Sequence, residues 1–250
     1  MRLELDTRQR AMLAAMGVKV WQPQRLATAP ITTAAPAPLA APDVALKALP
    51  HGLGEMDWAT LADAAAQCRA CSLCETRQHS VFASGTTPPS TTQTPWLFIT
   101  DPPNAEEESA GQLLLHSEGE LFEAMLQALG MTLALSQVSV VPVLKCRVPD
   151  QRNPRPEELQ QCRAFLARQV ALRQPQVIVA MGRWAVQSVL SANDADIARQ
   201  PLGKLRGQVY RFADTPVIVT YHPKSLLHTP LDKAKAWADL CLAHSLTRRP

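Results

Sequence analysis

Four cysteines are the residues with the clearest capacity for chemistry. Cys68 and Cys71 form a C-x-x-C pair, Cys146 lies in Leu144-Lys145-Cys146-Arg147, and Cys162 follows sixteen residues later. Four thiolates gathered from distant segments suit a tetrahedral zinc ion or a 4Fe–4S cluster. A zinc ribbon ordinarily shows a second C-x-x-C, and these four cysteines contain none. Cys74 rivals the first pair, while Cys241 stands alone and is expected to be buried on the last helix. The competing assignment is buried, inert cysteine, against which the paired spacing argues.

The elements that must position these residues follow from pattern. The chain has 250 residues, of which 46% are hydrophobic, enough for one domain with a real core and an extension. Its net charge of +3 is only mildly basic and does not by itself indicate nucleic acid. No apolar run approaches the roughly 20 residues of a membrane span, and the N-terminus lacks a secretory apolar core. A cytoplasmic location is expected, where cysteines serve as metal ligands more often than as disulfides.

Residues 4–17 read as a short amphipathic helix, too short to persist alone in water. Residues 27–50 are dominated by Pro, Ala and Thr and read as an extended linker. A helix over 56–67 delivers Cys68. Apolar runs at 95–100, 138–144, 177–181 and 217–220 read as buried strands, with a possible edge strand at 209–212. Helices over 118–129, 156–173, 183–190 and 230–246 alternate with them. The pattern predicts an α/β fold, three-layer αβα, around a central, mostly parallel sheet of about four strands. The expected domains are a partner-binding peptide at 1–26, the linker at 27–50 and the α/β domain at 51–250. Asp101 falls at the C-terminal end of the first strand, where open α/β sheets bind ligands. Glu106, Glu107 and Glu108 read as a solvated helix start, where acids favour the helix dipole.

Together, the cysteines, Lys145-Cys146-Arg147-Val148-Pro149, Arg152-Asn153-Pro154, Met181-Gly182, Arg206-Gly207 and His222-Pro223-Lys224-Ser225-Leu226-Leu227 resemble the family 4 uracil-DNA glycosylases over residues 65–242. The resemblance implies a 4Fe–4S cluster on Cys68, Cys71, Cys146 and Cys162, with Cys74 outside the ligand set. It breaks at the catalytic positions. The family's glycine-rich G-E-[GA]-P-G is here Thr100-Asp101-Pro102-Pro103-Asn104. Leu114 stands where the family stacks a phenylalanine on the flipped base, and Val141-Pro142 stands where it presents an amide to uracil. Only His222 remains of the polar site residues, with Asp101 as a displaced carboxylate. His222 is either a general acid or stabiliser of a leaving base anion, or a structural histidine held by its His-Pro turn.

The N-terminal stretch Arg8 to Arg25 resembles a second family, the psi subunit of bacterial DNA polymerase III. That resemblance implies docking of Met12, Leu13, Met16, Val18 and Trp21 on the clamp-loader gamma/tau collar. The reading that follows is a non-catalytic iron–sulfur accessory subunit, its α/β domain an adaptor to the chi subunit and single-stranded-DNA-binding protein. The alternative is a divergent family 4 glycosylase of base-excision repair, using His222 and Asp101, with Lys145, Arg147 and Arg206 near DNA phosphates. A bare DNA-binding module is a third possibility.

Overall fold

The computed structural model describes residues 48–84, 95–133, 137–190 and 200–247. The peptide at 1–26, with Met12, Leu13, Met16, Val18 and Trp21, lies outside the described residues, as does the linker up to residue 47. The chain divides into units Met1–Asp43 and Val44–Pro250, and all described residues belong to the second.

Five strands form one sheet: β1 (Trp96–Thr100), β2 (Val138–Pro142), β3 (Val177–Met181), β4 (Val209–Phe212) and β5 (Thr215–Thr220), in the order β2-β1-β3-β5-β4. All neighbours are parallel except β4 and β5. Every residue of β1, β2 and β3 is buried, which is why these strands read as unbroken apolar runs and not as alternating patterns. The expected count of about four becomes five because the 209–212 segment does pair. A two-residue loop, Ala213 and Asp214, both at positive φ, returns it antiparallel onto β5, as a type I′ turn requires.

Side chains alternate across each strand, so the sheet separates two cores. Leu97, Ile99, Ile178 and Val219 face Leu166 and Val170 of α4 (Pro156–Arg173) and Val186 and Val189 of α5 (Arg183–Leu190). Trp96, Phe98, Val179 and Ile218 face Phe122 and Leu126 of α3 (His116–Ala128) and Leu240 of α8 (Lys233–Thr247). Phe98 and Phe122 meet edge to face at 4.9 Å. Each such buried side chain contributes roughly 1.5–3 kcal/mol by leaving water. The three-layer expectation therefore holds. A third, smaller core joins Leu61 and Ala65 of α1 (Trp58–Gln67) to Phe165 of α4, with Leu49 and Leu53 packed on it. It anchors the segment that leads into Cys68.

Short helices fill the remaining connections: α2 (Ala105–Ala110), α6 (Leu202–Leu205) and α7 (Pro223–His228). Among the described residues, no helix is long and apolar enough to cross a membrane.

Candidate active site

Parallel strands end on one side of the sheet, and the loops leaving β1, β2, β3 and β5 open a cavity there of about 800 Å³. Thr100, Asp101 and the Pro102-Pro103-Asn104 turn come from β1. The β2 loop brings Arg147, Asp150 and Arg152. Trp184 comes from the start of α5, and His222 and Lys224 from the end of β5. Such a crevice is the ordinary ligand position in an open α/β sheet.

His222 is buried and precedes the short helix α7. Its Nε2 lies 2.7 Å from Thr100 Oγ1, and its Nδ1 accepts the Lys224 backbone N–H at 3.2 Å. Because Nδ1 accepts, the proton of the neutral ring belongs on Nε2. Burial, helped by the Lys224 charge, holds His222 down to about 4. The ring is therefore neutral at pH 7.

Asp101 is fastened differently. Its Oδ1 accepts the Trp184 and Ala185 backbone N–H groups at 2.9 and 3.1 Å, capping the N-terminus of α5. Burial pushes its carboxyl up to about 6, while those two N–H groups and Lys224 pull the other way. Gly182 makes the arrangement possible. It sits at φ +94°, and a Cβ there would meet Asp101 Oδ2 at 2.5 Å.

The glutamates of α2 depart from expectation. Glu106 is exposed, but Glu107 and Glu108 are buried and not solvated. Glu107 closes a capping box with Asn104 and accepts the Leu114 N–H at 2.6 Å. Glu108 accepts from Gln78 N and from Arg147 Nε, at 3.2 and 2.9 Å. Leu114 itself, at φ 55°, packs into the Phe122 core and does not line the cavity.

Of the three basic residues expected near DNA, only Arg147 reaches the cavity. Lys145 is fully buried and donates to the Pro142 carbonyl at 2.6 Å, and burial lowers it to about 8. Arg206 pairs with Asp239 at 2.6 Å and stacks on Tyr221. Sequence reasoning missed Glu118, Arg152 and Trp184 as cavity residues. No spacing connects them to His222, and only the crossover topology brings them together. Lys224 and Arg152 each carried a signal, since they lie inside the His222-Pro223 and Arg152-Asn153-Pro154 motifs.

The cysteines assemble on the opposite side of the β2 loop. Cys68, Cys71, Cys74, Cys146 and Cys162 line one small cavity of about 20 Å³ with Ala65, Ala70 and Phe165. Arg77 donates to Cys146 Sγ at 3.3 Å, and Lys145 N donates to Cys162 Sγ at 3.4 Å. Burial pushes Cys71 and Cys162 up to about 11 and Cys146 up to about 12. Among the described residues, no three His, Cys, Asp or Glu side chains converge as they would around a single metal ion. Cys241 is exposed, contrary to expectation.

This α/β fold, with its cavity at the strand ends, is placed in a family by comparison with known proteins. The uracil DNA glycosylase superfamily matches residues 88–241, and the chain belongs to that superfamily. It is 31% identical over 167 residues to the type-4 uracil-DNA glycosylase of Archaeoglobus fulgidus, covering 65% of this chain and 79% of the relative. Over 164 residues it is 30% identical to the type-4 enzyme of Thermotoga maritima, covering 64% and 78%. For the Sulfurisphaera tokodaii type-4 enzyme the values are 28% over 167 residues, 65% and 72%.

These relatives overturn the reading of the chain as a non-catalytic clamp-loader subunit. They are named as glycosylases, and they support a DNA-repair glycosylase instead. The clamp-loader reading rested on residues 8–25, outside the described residues, and on the losses at positions 100–104, 114 and 142. Of those losses, the one at position 114 falls in the core and not on the cavity wall.

Proposed function

We propose that this protein is a DNA glycosylase of base-excision repair, hydrolysing the bond between deoxyribose C1′ and a base turned out of the helical stack. The observation that carries the reading is the strand-end cavity with His222 and Asp101 on its wall, in a chain of the uracil DNA glycosylase superfamily. An enzyme of this kind must take its base out of the duplex to reach the glycosidic bond, and the cavity has room for a nucleotide.

In this reading His222 faces the departing base. It is a neutral ring, so it acts as a hydrogen-bond donor or relay through Nε2–H and Thr100, not as a fixed cation. Asp101 is ionised above about 6. Its negative charge, held by the α5 N–H groups, faces the positive charge that develops at C1′ as the bond to the base lengthens. Water then adds to C1′, and the base leaves carrying a proton. Arg147, Arg152 and Lys224, on the cavity wall, would meet DNA phosphates, giving a salt-sensitive affinity.

The cysteine site fits a 4Fe–4S cluster on Cys68, Cys71, Cys146 and Cys162. The donors are all sulfur, the walls are apolar, and two N–H donors point at sulfurs. Thiols whose ionisation is opposed by burial hold their charge once iron binds them. The cluster would be a structural tie between the segment after α1, the β2 loop and α4.

The test is incubation of anaerobically purified protein with single- and double-stranded oligonucleotides carrying uracil or an oxidised pyrimidine. Abasic sites are read by alkaline strand cleavage, with an active type-4 enzyme as control. Base release that disappears in a His222→Ala, Asp101→Ala double variant is the expected result. No release from any substrate, by protein holding its iron, would overturn the reading.

A further inference from the structure

Five cysteines, not four, line the small apolar cavity behind the β2 loop: Cys68, Cys71, Cys74, Cys146 and Cys162. A 4Fe–4S cluster takes four thiolates, so one is left over. The three that follow α1 are evenly spaced. Cys68-Arg69-Ala70-Cys71 and Cys71-Ser72-Leu73-Cys74 are two C-x-x-C pairs that share Cys71. Cys71 stands at the N-cap of a single 3₁₀ turn, Ser72–Glu75, and its carbonyl accepts the Cys74 N–H at 3.3 Å. Leu73 is buried in the core beside the sheet, and Ser72 Oγ donates to Glu158 at 3.4 Å. Arg77, beyond the turn, donates to the carbonyls of Ala65, Ala66 and Cys68. The chain is thus pinned on both sides of Cys74, which is half-buried and stands at the cavity wall. The same Arg77 guanidinium donates to Cys146 Sγ at 3.3 Å and feels the charges of Cys68 and Cys74. Cys68 is the resident member of the outer two: beyond the burial that dominates each of them, Cys71, Cys146 and Cys162 all feel its charge. Cys146 and Cys162 have no such understudy, since each comes singly, from the β2 loop and from α4.

We propose that Cys74 is a reserve ligand of the cluster site, able to take the place of Cys68 and of no other cysteine. The inference rests on the cluster assignment above and is independent of the base-excision chemistry. Losing Cys68 leaves Cys71 and Cys74 at the spacing that Cys68 and Cys71 had. Losing Cys71 leaves Cys68 and Cys74, six residues apart, which no longer form a C-x-x-C. The exchange is thiolate for thiolate. Cys74 gives up its thiol proton as its sulfur bonds iron, the bond from that iron to the Cys68 sulfur breaks, and the Cys68 sulfur takes up a proton. No electron is gained or lost. A site built this way keeps its iron when Cys68 is lost.

The test uses the full-length chain purified anaerobically. Iron and sulfide are assayed, the visible absorption is recorded, and free cysteines are trapped with iodoacetamide and located by mass spectrometry. The parent protein should hold about four irons per chain, with Cys74 and the exposed Cys241 alkylated and Cys68 protected. Cys68→Ala should also keep about four irons, and its Cys74 should be protected until a chelator strips the metal. Cys71→Ala and the Cys68→Ala, Cys74→Ala double variant should each lose the cluster. Cys68→Ser, which keeps the size of the side chain, is measured beside Cys68→Ala. Loss of iron in both Cys68 variants, folded or not, overturns the inference while the cluster assignment stands. Iron retained by Cys71→Ala or by the double variant overturns it too, as does a Cys74 protected in the parent or still reactive in iron-loaded Cys68→Ala. A parent protein that holds no iron overturns the cluster assignment and this inference with it.

Discussion

Replacing Asp101 with asparagine is expected to make stability rise more steeply with pH across the mildly acidic range. Burial pushes Asp101 up to about 6 from an ordinary 3.8. The folded protein therefore holds this proton more tightly than the unfolded chain does, and stability falls as pH rises from 3.8 through 6. A shift of roughly two pH units corresponds to at most about 3 kcal/mol. His222 acts in the opposite sense. Burial and Lys224 hold it down to about 4 from 6.5, so on acidification the unfolded chain takes up the proton first. Its contribution is present above 6.5 and is lost as pH falls through 4, again by about 3 kcal/mol. In the parent protein the two slopes oppose each other and largely cancel. Asp101→Asn removes one and exposes the other, and His222→Gln does the reverse. The assay is urea unfolding of parent and variants at matched pH values between about 4 and 7.5, a range set by these two windows. Comparison at each pH cancels shared groups such as Glu118 and Asp239. The Asp101→Asn difference should move in the variant's favour by up to about 3 kcal/mol as pH rises, and the His222→Gln difference should move the other way. Differences that stay constant with pH in both variants would refute the reasoning.

Three further outcomes follow from the packing. Gly182→Ala places a Cβ against the Asp101 carboxylate at a position with φ +94°, so it should cost roughly 2–4 kcal/mol in urea unfolding by straining the backbone and displacing a partly buried cap. Arg206→Ala leaves Asp239, whose side chain is 2% exposed, without its cation and should cost roughly 3–5 kcal/mol, whereas the Arg206→Met, Asp239→Leu double variant should recover most of that loss. Cys74→Ser should retain ~4 irons per chain by chemical assay and the visible absorption of the cluster, whereas Cys146→Ser or Cys162→Ser should lose both.

The sheet was legible because its strands are short, apolar and buried on both faces, and the helix at 156–173 because Pro156 and two glutamates mark its start. The fifth strand was harder. Its turn is built from Ala213 and Asp214 at positive φ, not from the Asn-Gly or Asp-Gly that announces a type I′ hairpin. The glutamates at 106–108 misled for a related reason. Acids at a helix start fit the dipole whether they are solvated or buried, and only the tertiary partners Leu114 N, Gln78 N and Arg147 decide which. Leu114 shows the limit of reading a site position by position. The left-handed turn at residues 114 and 116 directs that residue into the core, which an aligned motif cannot reveal.

The cysteine site and the cavity are two sides of one loop. Cys146 lines the thiol cavity and Arg147, its neighbour, lines the strand-end cavity. Arg77 donates to Cys146 Sγ and to the carbonyls of Ala65 and Cys68. The adjacent Gln78 N–H donates to Glu108, the same carboxylate that holds Arg147. On the other flank Ser72 Oγ and Arg152 both donate to Glu158 of α4, four residues before Cys162. Each arginine that the β2 loop brings to the cavity is thus fixed by a buried glutamate, and each glutamate also takes a hydrogen bond from the segment that follows α1. A cluster binding the cysteines would hold that segment, the loop and α4 in register, and so set where Arg147 and Arg152 stand relative to His222. Its contribution to base excision would then be geometric. The residues closest to the bond being broken would be carried by the sheet, and those that meet the DNA by the cysteine-tethered loop.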